Sequence, residues 1–145
     1  MAVVIDTSAI YAIYDGGDEN HHDACEGFQR IPGPYFVASA ILAEVDYLLC
    51  THLASAAALD FLDALLESRY LLAETKTTGV DIRRAVAILR KYPDLGLGLA
   101  DATVMATAER LSTRQIMTFD HRHFRAVTNI HNQPFILLPA DRAQA

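Results

Sequence analysis

Asp6, Asp101 and Asp120 are the residues whose surroundings most constrain what a carboxylate does in this sequence. Asp6 ends the β-branched run Val3-Val4-Ile5, and Asp120 follows Ile116-Met117-Thr118-Phe119. Both runs read as short strands, the first buried on both faces. In open α/β sheets, ligands bind beyond the carboxyl ends of the strands, where the strand order reverses, so both carboxylates are candidates for one crevice. Taken singly, either also suits a cap on the helix or turn that follows. Asp101 is harder to read that way. On a helix starting near Leu99 its neighbours at helical spacing are Val104, Met105, Ala108 and Leu111, which puts it close to the middle of the apolar stripe. A charge there needs a cation, a donor network or a raised pKa, and a place in the helix's first turn supplies only part of that. Glu44 and Asp46 flank the stripe Ile41, Leu42, Val45, Leu48 and Leu49 on opposite sides. Periodicity does not rank them, and either serves as a solvated flank residue.

Converging carboxylates with few competing His or Cys ligands suit a hard divalent cation, Mg²⁺ or Mn²⁺. Such ions hold a phosphodiester oxygen, lower the pKa of an attacking water and stabilise the leaving oxygen. Other chemistries are poorly supported. His21, His22 and Cys25 are spaced loosely like ligands on a helix, but no second pair completes a zinc set. Cys25 and Cys50 stand far apart and read as plain thiols. His121 and His123 flank Arg122 beside Asp120, which suits phosphate contact or proton transfer, although exposed surface positions are the reading taken for both. The absence of G-x-S-x-G, Walker A and G-x-G-x-x-G patterns argues against serine-elbow hydrolases, P-loop ATPases and dinucleotide enzymes.

The elements that must position these carboxylates alternate along the chain. After the strand at 3–5, Thr7 or Ser8 caps a helix, and Asn20 caps another running to Arg30. Tyr35 to Ala38 is a strand, and Ser39 caps the helix that carries Glu44. Ala54 to Arg69 is helical, Tyr70 to Ala73 a strand, and Thr78-Gly79-Val80-Asp81 opens a helix to Lys91 with a capping pattern. Gly96 and Gly98 mark a loop, Leu99 to Leu111 a helix, and Gln115 to Phe119 and Phe135 to Leu138 the last two strands. This alternation implies a mostly parallel sheet with helices on both faces.

At 145 residues, 52% hydrophobic and 21% charged, the chain is expected to be one globular domain over 1–145, with ample apolar surface to bury. Its longest uncharged stretches, such as 31–43, fall short of the roughly 18 apolar residues of a membrane span, and no basic region precedes an apolar one at the N-terminus. A soluble, cytoplasmic protein with no membrane partner is the expectation. The net charge is −6, but it is unevenly placed. Arg110, Arg114, Arg122 and Arg125 face only Asp120 between 110 and 131. Those arginines can grip a polyanion while bound cations invert the sign of an acidic pocket.

Val4-Ile5-Asp6-Thr7-Ser8-Ala9, Ala43-Glu44-Val45, Leu99-Ala100-Asp101-Ala102 and Thr118-Phe119-Asp120-His121-Arg122-His123-Phe124 resemble the four acidic motifs of a PIN domain. More narrowly, the chain resembles the VapC toxins of bacterial toxin–antitoxin pairs, in order and over essentially its whole length. The resemblance implies an α/β three-layer sandwich with a mostly parallel five-stranded sheet between helices. It also implies an Mg²⁺- or Mn²⁺-dependent endoribonuclease acting on structured translational RNA, tRNA or ribosomal RNA. It assigns catalytic and metal-binding roles to Asp6, Glu44, Asp101 and Asp120, selecting Glu44 over Asp46, and makes Thr7 and Thr118 the residues that orient them. A cognate VapB-type antitoxin and a homodimer are the partners it implies. One departure is Gly96-Leu97-Gly98, where many relatives carry a further acidic residue, and this leaves one ion or two open. Those glycines also favour the alternative of a non-catalytic phosphate-, RNA- or protein-binding module. A receiver domain is disfavoured, since no acidic pair follows Val3-Val4-Ile5.

Overall fold

The computed structural model describes residues 1–142, so the last three residues of the expected 1–145 unit lie outside the described residues. Five strands form one parallel sheet: β1 (Val3–Ile5), β2 (Tyr35–Ala38), β3 (Leu72–Thr75), β4 (Gln115–Met117) and β5 (Ile136–Leu138). Their spatial order is β3-β2-β1-β4-β5. The chain moves outward from β1 through β2 to β3, then returns to lay β4 on the other side of β1, so the order reverses between β1 and β4. All three β1 residues are buried, which requires cover on both faces of the sheet and explains a run without polar alternation.

Among the described residues, seven α-helices supply that cover: α1 (Thr7–Tyr14), α2 (His21–Arg30), α3 (Leu42–His52), α4 (Ser55–Leu66), α5 (Gly79–Lys91), α6 (Leu99–Arg110) and α7 (His121–Ala126). Helix α6 packs across β1, β2 and β4, and every residue from Ala102 to Ala108 is buried. Thr103 and Thr107 lie inside this apolar stretch because their hydroxyls donate back to the carbonyls of Leu99 and Thr103, at 2.6 and 2.7 Å. No helix among the described residues is long and apolar enough to cross a membrane.

Some boundaries differ from the sequence expectation, each for a local reason. The third strand begins at Leu72, because Ser68, Tyr70 and Leu71 take positive φ values in a turn that leaves Tyr70 and Leu71 exposed. The same turn ends α4 at Leu66, short of Arg69. The fourth strand ends at Met117, which pairs with Leu138, the last residue of β5, and the Thr118 N–H makes the closing bond to Leu138 O at 3.0 Å. Ser39 does not cap α3. It opens a 3-10 turn over Ser39–Ile41, and its Oγ accepts from Thr77 N at 2.7 Å. Helix α7 has no counterpart in the sequence reading, since six residues rich in His and Arg carry no legible stripe.

Gly27 of α2 lies against the end of β5. A Cβ built there would stand 2.9 Å from Pro139 Cβ and 3.4 Å from its Cγ, and neither ring atom can swing aside. Gly27→Ala should therefore destabilise the protein by about 1 kcal/mol in urea unfolding. The helix-propensity gain of about 1 kcal/mol is outweighed by overpacking of about 1–3 kcal/mol. An unchanged or raised midpoint would mean that α2 and β5 can separate freely.

Candidate active site

Four carboxylates come together where the strand order reverses. Asp6 is the N-cap residue of α1, Glu44 lies in the first turn of α3, Asp101 in the first turn of α6, and Asp120 is the N-cap residue of α7. Each negative charge thus sits at a positive helix end, which lowers the cost of gathering them. With Thr7, Ser8 and Leu48 they line one cavity of about 200 Å³.

Asp6 is the most deeply held. Its side chain accepts from Thr118 Oγ1 at 2.8 Å and Ser8 Oγ at 3.0 Å, both on Oδ2. Those hydroxyls are aimed by the backbone, since Phe119 N donates to Ser8 Oγ and Asp120 N donates to Thr118 Oγ1, each at 3.0 Å. The β4–α7 loop therefore fixes the direction of Asp6 as well as carrying Asp120. Burial pushes the Asp6 carboxyl up to about 6, against the lowering effect of the two hydroxyls, and the charge of Asp101 adds to the rise. Thr7 Oγ1 donates to Glu44 Oε2 at 3.1 Å, linking α1 to α3. Asp101 accepts from Gly98 N at 3.4 Å. Its carboxyl is also raised, chiefly by burial, with Asp120 and Glu44 contributing.

Two residues at this site had no part in the sequence assignment. Ser8 was legible only as a helix cap, because its contact with Asp6 depends on a loop more than a hundred residues away. His123, read as a surface position, instead has a side chain only 20% exposed. Its Nδ1 stands 2.8 Å from Asp120 Oδ2 and 3.5 Å from Asp101 Oδ2. The Asp-x-x-His spacing on a short helix was the available signal, and α7 was not recognised as a helix. His121 is half-buried and turns into a different cavity, lined with Asp23, Glu26 and Pro139.

The arginines expected to grip a polyanion are mostly committed elsewhere. Arg110 lies at the opposite end of α6 from Asp101, about 13 Å along the axis at 1.5 Å per residue, and its Nε donates to Asp81 Oδ1 at 2.8 Å. Arg114 precedes β4, at the N-terminal edge of the sheet, and donates to Pro134 O at 2.8 Å. Arg125 forms a two-pronged pair with Asp141 at 2.6 and 2.7 Å. Arg122 is exposed in the first turn of α7, two residues past Asp120.

The donor set fits a divalent cation. It consists of carboxylate oxygens around a cavity of suitable size, with one imidazole at the edge, and their mutual repulsion is what a cation relieves.

A PIN domain family model matches residues 3–129. The chain is 34% identical over 137 residues to Ribonuclease VapC26 of Mycobacterium tuberculosis, which covers 94% of this chain and 100% of that one. Among solved structures it is similar to Mycobacterium tuberculosis VapC20, described as a Sarcin-Ricin loop cleaving toxin. That match has a TM-score of 0.75 at 20% identity and covers 83% of this chain and 91% of the other. A chain in a toxin–antitoxin complex from Klebsiella pneumoniae matches with a TM-score of 0.65 at 17% identity, over 87% of this chain and 92% of that one. At those identities the two structures speak for the fold alone. With the family match running from β1 past Asp120 and the ribonuclease relative aligned over its whole length, the chain belongs to the PIN domain family, among the VapC ribonucleases.

Proposed function

We propose that this protein is a metal-dependent endoribonuclease toxin in which Asp6, Glu44, Asp101 and Asp120 hold Mg²⁺ or Mn²⁺ within a single nuclease domain. The observation that carries the reading is the meeting of these four carboxylates in one cavity at the switch point of the sheet. When bound, a divalent cation supplies positive charge that lowers the pKa of water and stabilises a leaving oxygen. The chain's own residues set the geometry. Ser8 and Thr118 lock Asp6 through Oδ2 and leave its other oxygen for the crevice, while Thr7 steers Glu44. Arg122, exposed two residues past Asp120, would hold a phosphate of the RNA backbone. In-line attack by water on phosphorus breaks the bond to the 3′ oxygen and leaves a 3′-hydroxyl and a 5′-phosphate.

A structured translational RNA, tRNA or ribosomal RNA, is the proposed substrate, supported by the similarity to VapC20, a Sarcin-Ricin loop cleaving toxin. A VapB-type antitoxin is the proposed inhibitor, supported by the Klebsiella complex, and the acidic crevice would accept a basic side chain from it. Both proposed partners support a cytoplasmic location. Exposed Tyr47 of α3, with Leu59 and Leu66 of α4, supports a homodimer through these helices.

RNA incubated with purified protein and Mg²⁺ or Mn²⁺ should be cut with 5′-phosphate ends, and excess EDTA should slow cutting by at least about 100-fold. Equal cutting in EDTA would remove the metal. RNA that is bound but never broken would favour a non-catalytic module.

A further inference from the structure

We propose that His123 is a nitrogen ligand of the metal site, acting through Nδ1 beside Asp101 and Asp120, and that it biases the site toward Mn²⁺ over Mg²⁺. The inference rests on the metal-site reading above and goes beyond its all-carboxylate ligand set. Nδ1 of His123, a carboxylate oxygen of Asp101 and one of Asp120 all lie within 4.8 Å of one another. The two distances from Nδ1, 2.8 and 3.5 Å, bracket the separation of about 3 Å between neighbouring ligand atoms on an octahedral ion with bonds near 2.1 Å. Two edges of one face of such an octahedron are thus already approximated, and the third, between the two carboxylate oxygens, is no longer than 4.8 Å.

The ring is also held in the orientation this role needs. The backbone N–H of His123 donates to Asp120 Oδ1 at 3.3 Å, which fixes the start of α7 relative to the carboxylate. The opposite edge of the imidazole lies by the Gly96 loop, where a Cβ would come within 3.9 Å of Nε2. Gly96 has a φ of +75°, so this loop passes the ring in a conformation that L side chains rarely adopt. Nε2 therefore faces the loop and Nδ1 faces the carboxylates. With an ion bound, Nδ1 offers its lone pair and the ring proton resides on Nε2. Mg²⁺ is bound through oxygen and dehydrates reluctantly, whereas a transition metal accepts imidazole nitrogen readily, so a nitrogen at this position favours Mn²⁺.

The test is metal binding, without RNA. Electron spin echo modulation of Mn²⁺ on the wild-type protein should show a directly coordinated nitrogen, and ¹⁵N-histidine labelling should change that signal. His123→Ala should abolish it. By calorimetric titration the same variant should bind Mn²⁺ at least about tenfold more weakly, with a change under about threefold for Mg²⁺. Asp101→Asn, which removes a carboxylate, should weaken both ions. A wild-type spectrum with no nitrogen coupling, or equal losses for the two metals in His123→Ala, would overturn the proposal. If Asp101→Asn still weakens both ions in that case, the carboxylate metal site survives without its nitrogen. A wild-type protein that binds neither ion at millimolar concentration would overturn both. The labelled wild-type spectrum decides the matter even if His123→Ala folds poorly.

Discussion

Asp6→Asn should lower kcat for RNA cleavage by about 10³-fold or more while making the metal-free protein more stable at neutral pH. The kinetic loss follows from removing the most enclosed of the four carboxylates, and a thousandfold corresponds to about 4 kcal/mol at the transition state. The stability gain follows from the same burial. Asparagine keeps an oxygen for the hydroxyls of Ser8 and Thr118, but it carries no charge into a site that pushes the aspartate up to about 6. Well below the ordinary value of 3.8, Asp6 is protonated in both folded and unfolded chains, so the variant gains nothing. Between the ordinary value of 3.8 and about 6, the unfolded chain releases a proton that the folded chain retains, and the wild type loses stability as pH rises. Above that window the penalty is complete, about 2–3 kcal/mol. Urea unfolding in EDTA at about pH 4, near the foot of that window, and at about pH 7.5, above it, reads the difference. EDTA matters because a cation bound only to the folded state stabilises the wild type and reverses the sign. A variant less stable than wild type at pH 7.5 in EDTA would show that Asp6 is not under electrostatic strain.

Three of the four carboxylates could be found in the sequence because each sits where a periodic pattern stops or is broken, whereas Glu44 was selected over Asp46 only by the family resemblance. Asp6 and Asp120 follow β-branched or apolar runs, and Asp101 interrupts a helix whose buried residues are otherwise apolar or threonine. The five-strand parallel layout was legible for the same reason, since a parallel sheet covered on both faces yields short apolar runs separated by helical patterns. The strand order was not legible from pattern, because it depends on which strands pair and not on how any one is composed. That order is what makes Asp6 and Asp120 neighbours across the β1–β4 switch point.

Contacts between distant loops escaped for a related reason. Ser8 and His123 belong to the site through partners fixed by tertiary structure, and a serine after a strand or a histidine between arginines has many uses. The arginine cluster misled in the opposite direction. A count of charges along residues 110 to 131 takes no account of the fact that α6 carries Arg110 away from its own N-terminus, or that Asp141 lies within reach of Arg125. Linear charge density describes a surface only when the residues share one, and here they are spread over both ends of the sheet.

Arg110 shows what such a residue does instead, and Asp81→Ala should lower stability by about 3 kcal/mol, roughly 10 °C in melting temperature, without altering RNA cleavage per folded molecule. Asp81 is only 1% exposed and serves three elements. Its Oδ1 accepts from Arg110 Nε of α6 at 2.8 Å, and its Oδ2 accepts from Thr78 N at the start of α5 at 3.1 Å. Arg110 in turn donates through Nη2 to Thr75 Oγ1 at the end of β3, at 2.9 Å. Alanine at 81 removes a capping acceptor, about 1 kcal/mol, and strips the guanidinium of its buried partner, which costs about 3–5 kcal/mol when the remaining charge is sealed from water. Arg110 is 32% exposed and can turn partly to solvent, so the lower end applies. Asp81→Asn, which keeps the capping oxygen, should lose less, and Arg110→Met should leave RNA affinity unchanged. The double variant Asp81→Ala with Arg110→Met should lose less than the sum of the two single changes, because it leaves no charge without its partner. Strict additivity in urea unfolding would mean the two side chains stabilise the protein independently, and a drop in RNA affinity for Arg110→Met would return Arg110 to the substrate-binding surface.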